Sequence, residues 1–468
     1  MAEPGFGLST VPRMNLVLLC ILAYIGLQLL VVFFVSRRPK SEEDYLLAGR
    51  RLGPWLATFS VFATWFGAET CIGAAGEAYR GGILAVASDP FGYTLGLVAT
   101  GLFFAVALWK RGLVTLADLF RQRYGAGVER LAALVMIPSS LLWAAAQVRA
   151  FGQVLASVSD FGVLTATTLA AAVVIAYTAV GGMWADAWTD LAQGIVLILG
   201  LLALCAVFGF AGGFEHLQLA GSLPARESPR PLLETLAVPI FGTIAAQELT
   251  SRVLAMRSPA LARYATAGAG LLYLAVGLIP VLMGLGAAQF LSAQVEPEQV
   301  LSHLAQTQLP RPLYILFLGA LVSAILSTLS GALLVAGSLA AHNLLAPLFK
   351  KAPSEKAKLR FNRYAVIGFG VAAYLISLSG EGMYELVEEA SGLASSGVLV
   401  LMLFALWLPN LGGRASAVAA LLASLTSFTL GQHLFEWRYP YLTSLGAALA
   451  AYLLLVPLRR AQYLIEQP

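Results

Sequence analysis

The sequence is short of charge. Asp, Glu, Lys and Arg make up 12% of its 468 residues, about half the share of a soluble domain, which is near 25%. That deficit excludes an ordinary water-soluble enzyme or nucleic-acid-binding module. It leaves the net charge of +4 as a property of loops at a membrane surface. Cysteine is scarce too. Cys20, Cys71 and Cys205 all fall in apolar stretches, without Cys-x-x-Cys or zinc spacing, and read as small buried apolar residues. The four histidines, His216, His303, His342 and His433, are far apart and form no HExxH. With no nucleophile–base pair and no metal cluster in view, an enzyme is not expected. Long polar inserts are few. The largest span 212–231, 292–311 and 350–363, and none has room for a catalytic or signalling module.

What is abundant is apolar length. The chain is 59% hydrophobic, with a mean hydropathy of +0.80. Apolar runs recur throughout, and a run of about 20 residues crosses a bilayer core of about 30 Å. A β-barrel would instead show alternating strands of about 10 residues. Spans are expected at 16–35, 55–78, 83–109, 128–158, 162–180, 184–211, 233–254, 261–291, 313–345, 365–379, 384–408, 415–430 and 441–456. The class is therefore an all-α polytopic membrane protein of about 13 transmembrane helices. The first run is followed by Arg37, Arg38 and Lys40 and lacks a small-x-small cleavage site, so it reads as an anchor rather than a cleaved signal. Cytoplasmic loops carry the Lys and Arg excess. With the N-terminus outside and the C-terminus inside, only Arg13, Arg80, Arg226, Arg230, Arg311 and Arg438 fall outside. Arg149 lies within a span, and the rest of the 29 basic residues fall inside.

Some spans are interrupted. "TWFGAETCIG", Thr64 to Gly73, places Gly67, Glu69 and Gly73 in an apolar run. A carboxylate at the centre of a membrane helix costs about 2.5–3.5 kcal/mol on insertion scales. Broken backbone is tolerated only inside protein or beside a wet cavity, and secondary transporters use such breaks to hold ions and substrates. Glycine also permits close helix packing, which is the bland reading. Five spans later, "VPIFGTIAAQELTSR" holds Pro239, Gly242 and an embedded Gln247-Glu248. Interrupted segments at matching places predict an inverted repeat of two five-helix halves, 54–211 and 233–409. Residues 1–53 precede them, a loop at 212–232 joins them, and two helices follow within 410–468. In "ALVSAILSTLSGALL", Ala324, Ser327 and Thr328 stand at i, i+3 and i+4 on one helix face. Two adjacent hydroxyls there suit a hard cation, although membrane Ser and Thr also bond back to their own helix.

At these residues the sequence resembles the sodium:solute symporter family, with its leucine-transporter-type five-plus-five inverted repeat. "LSTLSGALLV" and "YTAVGGMWADAWTDLAQG" carry the likeness. The resemblance implies Na+ as the coupling ion and no other cofactor. Its site would be formed by the carbonyls of Ala63, Phe66 and Ala324 and the hydroxyls of Ser327 and Thr328. It also makes Asp190 a candidate for a second cation. "ATWFG", "GEAY", "PFGYTLGL", "GLFFA", "LLWAAA" and "YTAVGG" look most like the high-affinity choline transporter branch. There, aromatic rings cage a quaternary ammonium, and Trp65, Tyr93 and Trp143 fall on cage positions. Gln147, at i+4 from Trp143, is expected on the same cavity face. The sequence departs from that branch where a tryptophan is expected and Ala246 stands, and in Glu248 and Arg149. Two unpaired charges in a membrane are costly. Arg149 is therefore expected to meet a carboxylate, among Glu248, Glu69 and Asp89, either as a structural pair or holding the two ends of a zwitterion with Glu248.

The implied activity is sodium-coupled import of a small organic solute, choline-like or zwitterionic, by alternating access. A solute sensor or transceptor, or a uniporter, on the same fold is the alternative. The expected partners are the solute, sodium and a lipid bilayer, with no nucleic acid, in a monomer or homodimer. The expected location is a cell membrane, taken as the inner membrane of a prokaryote.

Overall fold

The computed structural model describes residues 16–35, 39–215, 217–219, 231–291, 295–349, 351, 353–378, 383–393 and 395–457. The loop charges Arg13, Arg37, Arg38, Arg226, Arg230, Lys350, Arg459 and Arg460 lie outside them. Among the described residues the structure is almost wholly helical, apart from one isolated bridge between Leu52 and Met256. The long helices are α1 (Leu16–Val35), α2 (Pro54–Trp65), α3 (Ala74–Gly81), α4 (Ala87–Trp109), α5 (Ala126–Ser157) and α6 (Val163–Phe210). They continue as α7 (Leu232–Ala245), α8 (Gln247–Ala255), α9 (Pro259–Gly286), α10 (Arg311–Ser338) and α11 (Glu355–Ser377). The last are α12 (Met383–Leu393), α13 (Ser395–Trp407), α14 (Arg414–Thr429) and α15 (Pro440–Leu454). Among the described residues, eight helices are long and apolar enough to cross a membrane, or nine with the bent pair α7–α8.

Local sequence explains the irregular elements. α6 runs 48 residues, about 72 Å at 1.5 Å per residue and too long for one crossing. Gly182, at φ +62 and ψ −174, reverses it, in a conformation that glycine adopts without strain. A Cβ there would meet the Tyr45 ring and carbonyl, so the turn is also held at close range. α2 begins on Pro54 at its first turn and ends at Trp65, where Phe66 leaves helical geometry at φ −87 and ψ 79. Helix resumes through a π-helical turn, Glu69–Gly73, into α3. α7 ends at Ala246, whose ψ of 131 is extended, and α8 starts at Gln247 with a 42° bend. The expected interruptions are thus both broken helices, one opening each five-helix stretch. The second break falls at Ala246 rather than at Pro239 or Gly242, which lie within α7.

Packing orders the bundle. α10 lies at the centre, with 78% of its most apolar window buried, whereas α1 has only 28% and faces outward. α10 packs on α5 and on both halves of α6, and α2 packs on α6, α9 and α10. The broken helices are therefore held against a central helix that carries the paired hydroxyls.

Candidate functional site

The break in the second span faces α10. Ser327 Oγ lies 2.9 Å from the Ala63 carbonyl and 3.0 Å from that of Ala324, and Thr328 Oγ1 lies 3.3 Å from the Ala63 carbonyl. Four of the five oxygens expected to hold sodium thus converge, and the fifth belongs to Phe66 at the break itself. Ser327 and Thr328 are 1% and 2% exposed. The back-bonding that would make them ordinary membrane hydroxyls is present too, from Ser327 to Ser323 at 3.0 Å, so the bland and functional roles coexist. A hard cation placed here would meet carbonyl and hydroxyl dipoles only, which suits a singly charged ion.

A cavity of about 40 Å³ lies beside the second break. Its walls include Tyr93, Ser140, Trp143, Thr243, Ala246 and Glu248. Trp65 stacks edge-on to Trp143, with ring centroids 5.6 Å apart, and its indole N–H donates to Thr243 at 3.1 Å. Tyr93 OH lies 3.0 Å from Ser391 Oγ. Of the three expected rings, Tyr93 and Trp143 line this cavity, whereas Trp65 does not, being fully buried with its ring against Trp143. Glu248 reaches Ser140 Oγ at 2.5 Å. One water needs about 10–15 Å³ of such space, so this cavity has room for no more than a few waters and must widen around any organic solute. A larger cavity of about 780 Å³ lies between α3, the end of α5, residues 296–306 and the start of α10.

Two further expectations are corrected. Gln147 does not line the cavity beside Ala246. Its amide donates to Glu69 Oε2 at 2.7 Å, and its carbonyl accepts from the Ala68 N–H at 3.2 Å. It does share a helix face with Trp143, but just over one turn and about 6 Å further along the axis, which sets it against the first break. Arg149 is not paired with Glu248, Glu69 or Asp89. Among the described residues it makes no ion pair, it is half-buried, and its Nε has no partner. Being six residues past Trp143, it projects from another side of α5, while Glu248, Glu69 and Asp89 are bonded to Ser140, Gln147 and Thr70.

The buried cation that does organise the core is Arg252, which sequence reasoning assigned to a cytoplasmic loop. It is 1% exposed and lies at the end of α8. Its guanidinium binds Asp186 at 2.5 Å, Thr64 Oγ1 at 2.9 Å and the Met183 sulfur, and it lies 3.7 Å from Asp190. Gly331 leaves it room, since a Cβ there would come within 3.0 Å of Nη2. Ser330 donates to Asp186 at 2.5 Å and Ser60 to Asp190 at 2.7 Å, while Asp190 Oδ1 is buried without a partner among the described residues. Two carboxylates face one guanidinium. The available signal was Asp186 and Asp190 at i and i+4 on one face of an apolar helix. At the cytoplasmic-loop end as read from the sequence, Glu42 binds His342 at 3.1 Å and Lys358 at 3.5 Å, and Asp118 binds His342 at 3.2 Å. Burial, the largest single effect, opposes ionisation of Glu42 and Asp118. The hydrogen bonds and charge of His342 outweigh it with help from Lys358 or backbone N–H groups, and both carboxyls are held below their ordinary range.

Residues 45–426 match the model of the sodium:solute symporter family. The chain is 29% identical to the high-affinity choline transporter 1 of Drosophila melanogaster, over 75% of this chain and 60% of that protein. It is 29% identical to the human high affinity choline transporter 1, over 87% of this chain and 76% of the relative. It thus spans less than two thirds of the length of the fly protein. Among solved structures, a Na+-coupled sialic acid symporter in a substrate-bound outward-open state superposes with a TM-score of 0.82. That match covers 95% of this chain and 98% of the other at 17% identity, and it shows a shared fold.

Proposed function

The chain belongs to the sodium:solute symporter family, and from that membership we propose that it is a sodium-coupled symporter importing a small organic cation. The observation that carries the reading is the oxygen cluster of Ala63, Ala324, Ser327 and Thr328 at a helix break. Freed carbonyls at such a break are the usual cation ligands of a secondary transporter. Sodium there joins the broken second span to central α10, so its binding favours one arrangement of the bundle over another. Asp190, with one unpartnered oxygen beside a guanidinium shared between two carboxylates, is the candidate for a second cation.

The substrate reading follows from the cavity beside Ala246. Trp143 and Tyr93 bring aromatic rings to the lining, and a Trp face attracts a desolvated cation by about 2 kcal/mol. Glu248 adds a carboxylate, and the described lining holds no basic side chain. A cation such as choline suits this lining better than a zwitterion, whose carboxylate would meet Glu248. The names of the choline-transporting relatives point the same way. Repeat boundaries at 54–211 and 233–409, an outside N-terminus and an inside C-terminus belong to the same proposal. They are supported by the two breaks and by the loop charges.

Reconstitution in proteoliposomes tests it. Radiolabelled choline is expected to accumulate under an inward sodium gradient and not under potassium, with betaine and proline competing weakly. Equal uptake in potassium would make the protein a uniporter. Binding of choline without accumulation would favour a sensor. Stronger competition by betaine or proline would overturn the cation assignment while leaving sodium coupling intact.

A further inference from the structure

Four oxygens near the first break are one proton short. Thr70 Oγ1 lies 2.8 Å from Asp89 Oδ2, and Tyr273 OH lies 2.8 Å from Asp89 Oδ1. The two hydroxyls lie 2.7 Å from each other. Each contact is at O–H···O distance, so each calls for a proton between its oxygens, and two hydroxyls supply only two. An ionised carboxylate accepts and never donates. Both hydroxyls would then have to point at Asp89, and their own 2.7 Å contact would set lone pair against lone pair. A metal ion does not resolve the shortage. A hard cation that holds oxygens at about 2.4 Å spreads ligands at right angles to roughly 3.4 Å apart, and this cluster is tighter than that.

We propose that Asp89 is a proton-binding site, un-ionised in this arrangement of the helices. One carboxyl oxygen donates to Thr70, Thr70 donates to Tyr273, and Tyr273 donates back to the other carboxyl oxygen. The three hydrogen bonds then run in one sense around a closed ring. The surroundings agree. Asp89 is 2% exposed, and Thr70 and Tyr273 are fully buried. Among the described residues no Lys, Arg or His stands within 4 Å of Asp89. The titratable groups that face it are Tyr273 from α9, Glu69 and Cys71 from the second span, and Tyr93 on its own helix, whose ring packs against Tyr273. From α7, packed on the same turn, come Pro239 and Thr243, which carry no ionisable group. Glu69 is buried nearby with one oxygen unpartnered, and two buried carboxyls with no cation between them do not both ionise.

The ring joins three elements: the half-helix after the break, α4 and α9. A motion that draws Thr70 away undoes the proton count, and the acid is then free to lose its proton to water. The closed arrangement is accordingly favoured as pH falls. This goes beyond the transport reading, and its test needs neither sodium nor a solute, so the two stand or fall separately.

Infrared spectroscopy of the full-length protein in lipid nanodiscs at neutral pH provides the test. An un-ionised carboxylic acid has a C=O stretch distinct from any carboxylate, with a small downshift in D2O. The band is expected in the wild type, lost in Asp89→Asn and retained in Glu69→Gln. The asparagine can donate to Thr70 and accept from Tyr273, so the fold is expected to persist. Tyr273→Phe is the second variant. It removes the hydroxyl that donates to the carboxyl oxygen while the acid stays buried, so the band should persist at neutral pH and move to higher wavenumber. A wild type without the band, a band undiminished in Asp89→Asn, one lost in Glu69→Gln, or one that does not shift in Tyr273→Phe would each overturn the assignment.

Discussion

Replacing Arg252 by glutamine removes the one guanidinium that faces Asp186 and Asp190. Both carboxylates are buried, at 6% and 0% exposure. Among the described residues, Asp186 then keeps the Ser330 hydroxyl and Asp190 that of Ser60. Breaking a buried pair by removing one partner costs about 3–5 kcal/mol, because the remaining charge is left uncompensated. The entropy of unfolding near the melting temperature is roughly 2.1 cal/mol/K per residue. Over 468 residues that is about 1 kcal/mol/K, so Arg252→Gln is expected to lower the melting temperature in detergent by about 3–5 °C. The hydrogen bond to Thr64 at 2.9 Å is lost as well, and with it a direct tie between α8 and the second span. Arg252→Gln with Asp186→Asn removes one of the stranded charges and should recover at least half of the loss. The assay is a thiol-independent fluorescence melt of the wild type, the single variant and the double. A single variant that melts within about 1 °C of the wild type would refute the argument, as would a double variant no better than the single.

Much of the fold could be read from the chain because lipid imposes simple rules. Apolar runs of crossing length locate the helices, and Gly67 beside Glu69 marks the first break. The second break was harder to place. Pro239 and Gly242 sit inside α7, where a missing N–H or absent side chain is tolerated, while the extended residue is Ala246, marked only by the polar Gln247-Glu248 that follows it. The hydroxyl pair was legible from spacing alone, since i, i+3 and i+4 on a helix must share a face. Arg252 was not. An arginine near the end of an apolar run reads as a loop residue, and its partners Asp186 and Thr64 lie 66 and 188 residues away. Gln147 shows the limit of helical periodicity. It fixes the direction of a side chain but not which layer of the neighbouring helices that side chain meets. The proton shortage at Asp89 is less legible still, because it depends on three separations across three helices.

Three further outcomes are expected. Ser327→Ala and Thr328→Ala each remove one oxygen near the Ala63 carbonyl, so each should raise the sodium concentration for half-maximal choline uptake severalfold, and an unchanged sodium dependence in the double variant would sink the site. Trp143→Ala should weaken choline binding by about tenfold or more, since a desolvated cation–π contact is worth about 2 kcal/mol, with Trp143→Phe milder; Ala246→Trp should shift the choline-to-betaine preference more than the melting temperature. The last outcome concerns acid. Glu42 and Asp118 are held ionised below their ordinary values of 4.5 and 3.8 by His342 and their other partners. A carboxyl whose folded pKa is depressed stabilises the fold fully above its unfolded pKa, and that contribution fades as pH falls through the folded one. The clamp between Glu42, His342 and Asp118 should therefore be intact at pH values above about 5 and weaken progressively below about 4.5. Other buried carboxyls titrate as well, so the informative quantity is a difference. Glu42→Gln should melt lower than the wild type at neutral pH, and the gap should narrow as the pH drops. A gap that stays constant down to acid pH would show that Glu42 contributes by packing and hydrogen bonding rather than by its charge.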